Sequence, residues 1–149
     1  MMLRKAMMDD LDGLVELYDN TIGRERNARK HIRRYLVKGN VRVIENMSMY
    51  GAYFVDVNRL KLRFKKGSLP YRVVWLDQVM VFPRVQGAGY GRVLMEDLIE
   101  RYGHMEIRLF CEHKLVGFYE KFEFEAVHEL RHNGIEQVIM VRKSGRKSI

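Results

Sequence analysis

The run YRVVWLDQVMVFPRVQGAGYG, Tyr71 to Gly91, constrains the fold more than any other part of the chain. Its first half is rich in Val and aromatic residues and reads as a strand from Tyr71 to Phe82, interrupted only by Asp77-Gln78. Pro83 has no amide proton to give a ladder and closes the strand. The glycine-rich stretch Gln86 to Gly91 follows, and the spacing beyond it predicts a helix from Gly89 to Tyr102. A strand that turns through glycines into a helix N-terminus gathers several N–H groups on one point, which is a site for an anion such as a phosphate. Gly87, Gly89 and Gly91 permit close approach and unusual dihedrals, and the helix dipole attracts the anion without a buried lysine. A turn with a purely structural role leaves the same local pattern. Two nucleotide-binding patterns fail on spacing. G-x-G-x-G stands where a dinucleotide fold needs G-x-G-x-x-G, and Gly91-Arg92-Val93 stands where a Walker A loop needs Gly-Lys-Ser/Thr.

The rest of the chain fits around this unit. Leu3 to Ala6 reads as a short strand, and Asp9 or Asp10 caps a helix with Leu11, Leu14, Val15 and Tyr18 on one face. A second helix runs from Glu25 to Leu36 and stops at Gly39-Asn40. Strands follow at Val41 to Glu45 and Met49 to Val57, with a turn at Asn46 to Ser48 and an extension through Asn58 to Phe64 whose Leu60, Leu62 and Phe64 alternate with Lys and Arg. Beyond the Lys66 to Pro70 loop and the central unit come a strand at Met105 to Phe110 and a short helix at Lys114 to Glu120. The last pair of strands, Glu123 to His128 and Glu136 to Val141, turns at Asn133-Gly134. With no repeat or linker in 149 residues, the expectation is one α/β domain over residues 1–141 and a basic, flexible tail over 142–149.

Charge is regional. The net charge is +8, yet Arg24 to Lys38 holds seven Lys/Arg against one Glu, Arg59 to Lys66 holds five, and four more follow from Arg142. Everything else is net acidic, so these patches suit an anionic partner, whether coenzyme, acidic protein or nucleic acid, or are simply solvated faces. Aromatics are not interleaved with the tail's cations, which argues against a base-stacking platform there. Cys111 is the one cysteine, so neither an internal disulfide nor a thiolate-rich zinc cluster can form, and the histidines follow no metal-ligand spacing. A buried strand-end thiol is the reading for Cys111. No apolar run approaches the ~20 residues of a membrane span, and acids interrupt the first residues where a leader would continue, so a cytoplasmic protein is expected.

Val81-Phe82-Pro83-Arg84-Val85-Gln86-Gly87-Ala88-Gly89-Tyr90-Gly91 resembles the acetyl-CoA signature of the GNAT superfamily of N-acetyltransferases, Q/R-x-x-G-x-G/A after a strand and often V-x-P. Phe118-Tyr119-Glu120-Lys121-Phe122-Glu123-Phe124 is similar to the same family's F/L-Y-x-K-x-G-F segment. The resemblance implies a single-domain GNAT-like fold, a mixed central sheet flanked by helices, with a splayed strand pair that binds acetyl-CoA and no metal. By the same resemblance, Val79, Met80 and Val81 hold the pantetheine arm through backbone groups, and their amides stabilise the oxyanion that forms during transfer. Gln86, Gly87, Ala88, Gly89, Tyr90, Gly91 and Arg92 hold the pyrophosphate, and Tyr119 stands near the sulfur as general acid. Two positions depart from the family pattern. Glu112 replaces an Asn seven residues before the tyrosine and either meets an amine or caps the short helix. Glu123 replaces the Gly before the closing Phe, and a less strained turn is expected there.

Acetyl transfer needs an uncharged amine, and an amine of pKa about 10 is protonated at neutral pH. Asp77 is the first carboxylate to consider as base and Glu112 the second, although Asp77 can equally be an exposed strand residue. Strand alternation sends Gln78 to the opposite face. The implied activity is acetyl-CoA-dependent N-acetyl transfer directly to a primary amine of a small molecule or peptide, with a homodimer consistent with the family. The competing readings are a non-catalytic acyl-CoA- or nucleic-acid-binding module, and a regulatory surface on the basic helix.

Overall fold

The computed structural model describes residues 1–60, 71–132 and 134–145. The alternating Leu62/Phe64 extension, the Lys66 to Pro70 loop, most of the second basic run, Asn133 and residues 146–149 of the tail lie outside the described residues. The chain divides into two compact units, Met1–Asp56 with Asp77–Asp97, and Val57–Leu76 with Leu98–Ile149.

The first unit contains β1 (Met2–Lys5), α1 (Leu11–Thr21), α2 (Ala28–Lys38) and β2 (Val41–Asn46). It also takes most of β3 (Ser48–Leu60), the second half of β4 (Tyr71–Val81) and the start of α3 (Tyr90–Tyr102). Its strand order is β1-β2-β3-β4. β1 and β2 are antiparallel from Met2↔Glu45 to Lys5↔Arg42, and β2 and β3 are antiparallel from Val41↔Phe54 to Asn46↔Ser48. That last pairing leaves Met47 alone at the tip of the hairpin, in the left-handed region at φ 64°.

Leu14 and Leu17 of α1, Ile32 and Leu36 of α2, Val41 and Val43 of β2, Ala52 and Phe54 of β3, and Met80 of β4 form one core cluster. Leu17 was not on the face expected for α1, whereas Leu11, Val15 and Tyr18 pack at the edge of the cluster. α2 begins three residues later than expected, because Gly23 turns at φ +125° and Glu25 is drawn to the Tyr18 hydroxyl. It ends at Gly39 as read, with φ +74° and the Asn40 N–H returned to the Tyr35 carbonyl. Asp10 occupies the cap position of α1 without capping it. Its carboxylate accepts the Met7 N–H at 2.7 Å and both terminal nitrogens of Arg4 at 2.8 Å, and the Arg4 bonds hold it below the usual carboxylate range.

β3 lies close to β4 because residue 51 is glycine. A Cβ there would stand 2.5 Å from the Met80 carbonyl oxygen and 3.3 Å from methyls of Leu94 and Val81. Backbone cannot yield as a flexible side chain does, so Gly51→Ala should destabilise the protein by about 2–3 kcal/mol. Urea unfolding should show a lowered midpoint at unchanged slope.

The second unit contains β5 (Glu106–Cys111), α4 (Val116–Glu120), β6 (Glu125–His132) and β7 (Ile135–Arg142), with strand order β4-β5-β7-β6. β4 and β5 are parallel, with pairs from Val73↔Glu106 to Trp75↔Arg108. β5 and β7 are antiparallel from Ile107↔Arg142 to Cys111↔Val138. Parallel and antiparallel ladders together, with helices, make the mixed α/β arrangement expected. Ile107, Leu109 and Cys111 alternate inward along β5, and Phe124, Val138 and Met140 are buried with them. Arg142 is the last residue of β7, and its guanidinium donates to the Phe122 and Gly103 carbonyls at 3.0 and 3.4 Å.

The turn after α4 corrects one expectation. Glu123 keeps the left-handed conformation at φ 69°, so the missing glycine has not relaxed the turn. The Phe124 N–H still reaches back to the Tyr119 carbonyl, and the Glu123 carboxylate lies 3.4 Å from Arg142.

Candidate functional site

The glycine segment of the first unit is a turn leading into α3. A turn at Pro83–Val85 follows β4, and Gly87 and Gly89 take φ of +84° and +90°. At both, the space a Cβ would occupy is open, so backbone N–H groups can be approached closely from outside. The first helical bond runs from the Val93 N–H to the Gly89 carbonyl at 3.1 Å, which leaves the amides before it without an intrahelical acceptor. These features fit the pyrophosphate of a coenzyme.

The side chains of the segment brace it. The Gln86 amide donates to the Val81 carbonyl at 3.0 Å, clamping the turn to the end of β4. Arg84 donates to the Met49 carbonyl at 3.1 Å and lies over the rings of Phe82 and Tyr50 at 5.1 and 5.5 Å. The Tyr90 ring packs on Tyr50 at 4.8 Å. Arg92 pairs with Glu96, one turn further along α3, at 2.8 Å. Of the three β4 residues assigned to the coenzyme, Met80 buries its side chain in the core and has only its backbone to offer, while Val79 and Val81 are half-buried.

Asp77 borders a cavity of about 160 Å³ in the same unit, lined by Tyr18, Ile32, Tyr35 and Phe54 among others. Tyr35 donates its hydroxyl to the Asp77 carboxylate, and its ring packs on Phe54 at 5.2 Å. Asp77 keeps solvent access, yet desolvation still raises its pKa. The Tyr35 hydrogen bond opposes that rise, the nearby Asp56 charge adds to it, and Lys38 opposes it. Desolvation, followed by the Asp77 contact, pushes the Tyr35 phenol well above its usual value. Gln78 borders the same cavity, as a strand residue can with its main chain whichever way its side chain points. The sequence marks Tyr18 only as part of the apolar face of α1 and does not mark Tyr35. The signal was there for Tyr35, an aromatic residue three after Ile32 and seven after Ala28 on a helix otherwise dominated by cations.

In the second unit, Tyr119 is buried on α4, with Phe118 and Phe124 packed edge-on at 5.1 and 5.9 Å. Burial first, and then the proximity of Cys111, push its phenol up to about 12. Cys111 is a buried free thiol at the end of β5, as expected, and burial raises it too, which disfavours the thiolate a nucleophile needs. Glu112 precedes the His113–Leu115 turn, where its carbonyl accepts the Leu115 N–H. Its carboxylate makes no capping bond and lies 3.3 Å from Lys114. Among the described residues, no group of three or more His, Cys, Asp or Glu is placed to hold a metal ion, and no helix is long and apolar enough to cross a membrane.

Solved structures share this architecture. A GNAT-family acetyltransferase from Bacillus cereus superposes with a TM-score of 0.77 at 19% identity, over 97% of this chain and 98% of that one. Arabidopsis thaliana Naa50, in complex with the bisubstrate analogue CoA-Ac-MVNAL, matches with a TM-score of 0.74 at 17% identity, over 95% of this chain and 97% of that one. Arabidopsis thaliana NAA60 in complex with acetyl-CoA gives 0.77 at 12% identity, over 95% and 98%. At these identities the likeness is one of fold. A comparison with curated proteins finds no match. The family model described as Acetyltransferase (GNAT) family matches residues 17–124, a span that takes in α2, the Asp77 cavity, the glycine turn and Tyr119. Because that model covers more than half of the chain, this protein belongs to the acetyltransferase (GNAT) family, whose acetyl transfer depends on acetyl-CoA.

Proposed function

We propose that the protein moves the acetyl group of acetyl-CoA directly to a primary amine of a small molecule or peptide, with Asp77 as general base and Tyr119 as general acid. The observation that carries this reading is the Tyr35–Asp77 contact in an aromatic-lined cavity, on the strand that leads into the coenzyme turn. The coenzyme supplies an acetyl group activated as a thioester. Backbone amides from Gln86 to Arg92 hold its pyrophosphate, and Gln86 itself keeps the turn seated on β4. Val79, Met80 and Val81 offer backbone groups to the pantetheine arm. Support for that comes from the β4–β5 ladder, whose pairs end at Trp75 although β4 continues to Val81.

Asp77 attracts the acceptor as an ammonium ion and then takes its proton, a task for which a raised carboxyl pKa is suited. Tyr35 fixes the carboxylate by its hydrogen bond, a positioning role. Tyr119 keeps its proton at neutral pH and gives it to the departing thiolate. Glu112, already paired with Lys114, is given no step.

Thiol release from acetyl-CoA, followed across small amines, polyamines, amino acids and peptides, tests the proposal. Release that depends on the amine is expected. Binding of acetyl-CoA without release from any acceptor would replace it with a non-catalytic acyl-CoA-binding module.

A further inference from the structure

α2 contains no acidic residue, and its two sides have different tasks. Ala28, Ile32 and Leu36 are buried, and Ala28, His31, Ile32 and Tyr35 border the Asp77 cavity. At about 100° per residue, Lys30, Arg33, Arg34 and Val37 fall on the opposite side of the helix, at the i, i+3, i+4, i+7 spacing of a second stripe. All four are exposed, Val37 to 74%. Lys30, Arg33 and Arg34 make no ion pair or hydrogen bond among the described residues. Arg29, on the flank toward α1, is paired with Asp12, and Arg33 borders a surface cleft whose acids are that Asp12 and Asp9. Arg24 and Arg26 stand exposed just before the helix, and Glu25 between them is drawn to the Tyr18 hydroxyl. The outward face of α2 is therefore a patch of cations whose charge nothing on the patch offsets.

We propose that this stripe docks double-stranded DNA through its phosphate backbone. An α-helix with its side chains is about 10–12 Å across, and the major groove of B-form DNA, about 12 Å wide, admits one. Arg33 and Arg34 stand about 100° apart around the helix axis with Lys30 and Val37 between them, so the two guanidiniums reach toward opposite walls of the groove while Lys30 faces into it. Arg24 and Arg26 extend the cations beyond the helix N-terminus, whose dipole also favours phosphate. Duplex RNA fits less well, because its major groove is deep and narrow. Single strands bind where bases stack on rings, and none stands on the stripe, since Tyr35 is turned to Asp77 and His31 borders the cavity. A protein partner or a bilayer surface needs an apolar or aromatic centre, for which the stripe offers Val37 alone. The stripe is turned away from the Asp77 cavity, so a docked duplex leaves that cavity open.

Fluorescence anisotropy of a labelled DNA duplex of about 20 base pairs, titrated with the full chain at rising salt, tests the proposal. Wild-type affinity should fall with salt at a log–log slope of roughly −3 to −4.5, the counterion release of about three to five phosphate contacts. The triple substitution Lys30→Gln, Arg33→Gln, Arg34→Gln should weaken binding about tenfold at low salt and flatten the slope by roughly 2–3. Its acetyl-CoA affinity should match the wild type, which shows that the variant has folded. The corresponding Glu substitutions should abolish DNA binding. An unchanged slope in the Gln variant places the contacts on the other basic segments of the chain and overturns the proposal, as does an absence of DNA binding by the wild type. Tighter binding to duplex RNA of the same length overturns it as well. Polyglutamate bound more tightly than the DNA would replace it with an acidic protein partner, and a preference for vesicles of anionic lipid would replace it with a membrane surface.

Discussion

Tyr119→Phe is expected to lower kcat by about 10²- to 10³-fold while acetyl-CoA affinity stays within about twofold. The substitution removes one oxygen and keeps the ring, so the edge-on contacts with Phe118 and Phe124 persist. The hydroxyl has no hydrogen-bond partner among the described residues and is not a buried orphan, so removing it strands no other group. Thermal unfolding should therefore be unchanged or slightly improved, and a loss of turnover cannot be assigned to a damaged fold. Thiol-release kinetics give kcat, and equilibrium titration with acetyl-CoA gives the affinity. A phenol held near 12 stays protonated across the assay range, so any alkaline fall in rate below that pH must belong to another group. Wild-type turnover in the Phe variant would remove Tyr119 from the chemistry and leave it as a packing residue of α4.

The elements with strong local signals were legible in the sequence. The β4 strand, the proline stop, the glycine turn and α3 follow one another within a residue or two of where composition puts them, because each is set by neighbours along the chain. What could not be read is what long-range contact decides. The Tyr35–Asp77 contact joins residues 42 apart, and only packing of α2 over β4 brings them together. Gln86 carries the motif signal for phosphate binding, yet its side chain is spent on the Val81 carbonyl, a division between backbone and side-chain roles that a motif does not express. Asp10 stands in a capping position, but Arg4 and the Met7 amide compete for it and win. At Glu123 the expectation of a relaxed turn failed: the residue stays left-handed in a turn closed by the Phe124 N–H to the Tyr119 carbonyl.

Asp77→Asn tests the base by separating activity from stability. Its carboxyl is raised by desolvation and by Asp56, so the folded protein binds this proton more tightly than the unfolded chain does. A raised pKa contributes stability below the unfolded value, and that contribution is lost as pH rises through the folded one. The fold thus stabilises the protonated carboxyl relative to the ionised one, and a neutral amide that still accepts the Tyr35 hydroxyl should leave the protein as stable or more so. Activity should move the other way, falling by about 10²-fold or more if Asp77 takes the amine proton. The wild-type kcat/KM profile should lose rate on acidification at a pH above the ordinary carboxylate range. That limb should vanish in the Asn variant, whose residual rate follows only the amine's own ionisation. Lys38→Ala removes a charge that lowers the Asp77 pKa, so the same limb should shift to higher pH. An acidic limb that persists unchanged in Asp77→Asn would transfer the base role to another group or to solvent, and Asp77 would then serve only to bind the ammonium ion.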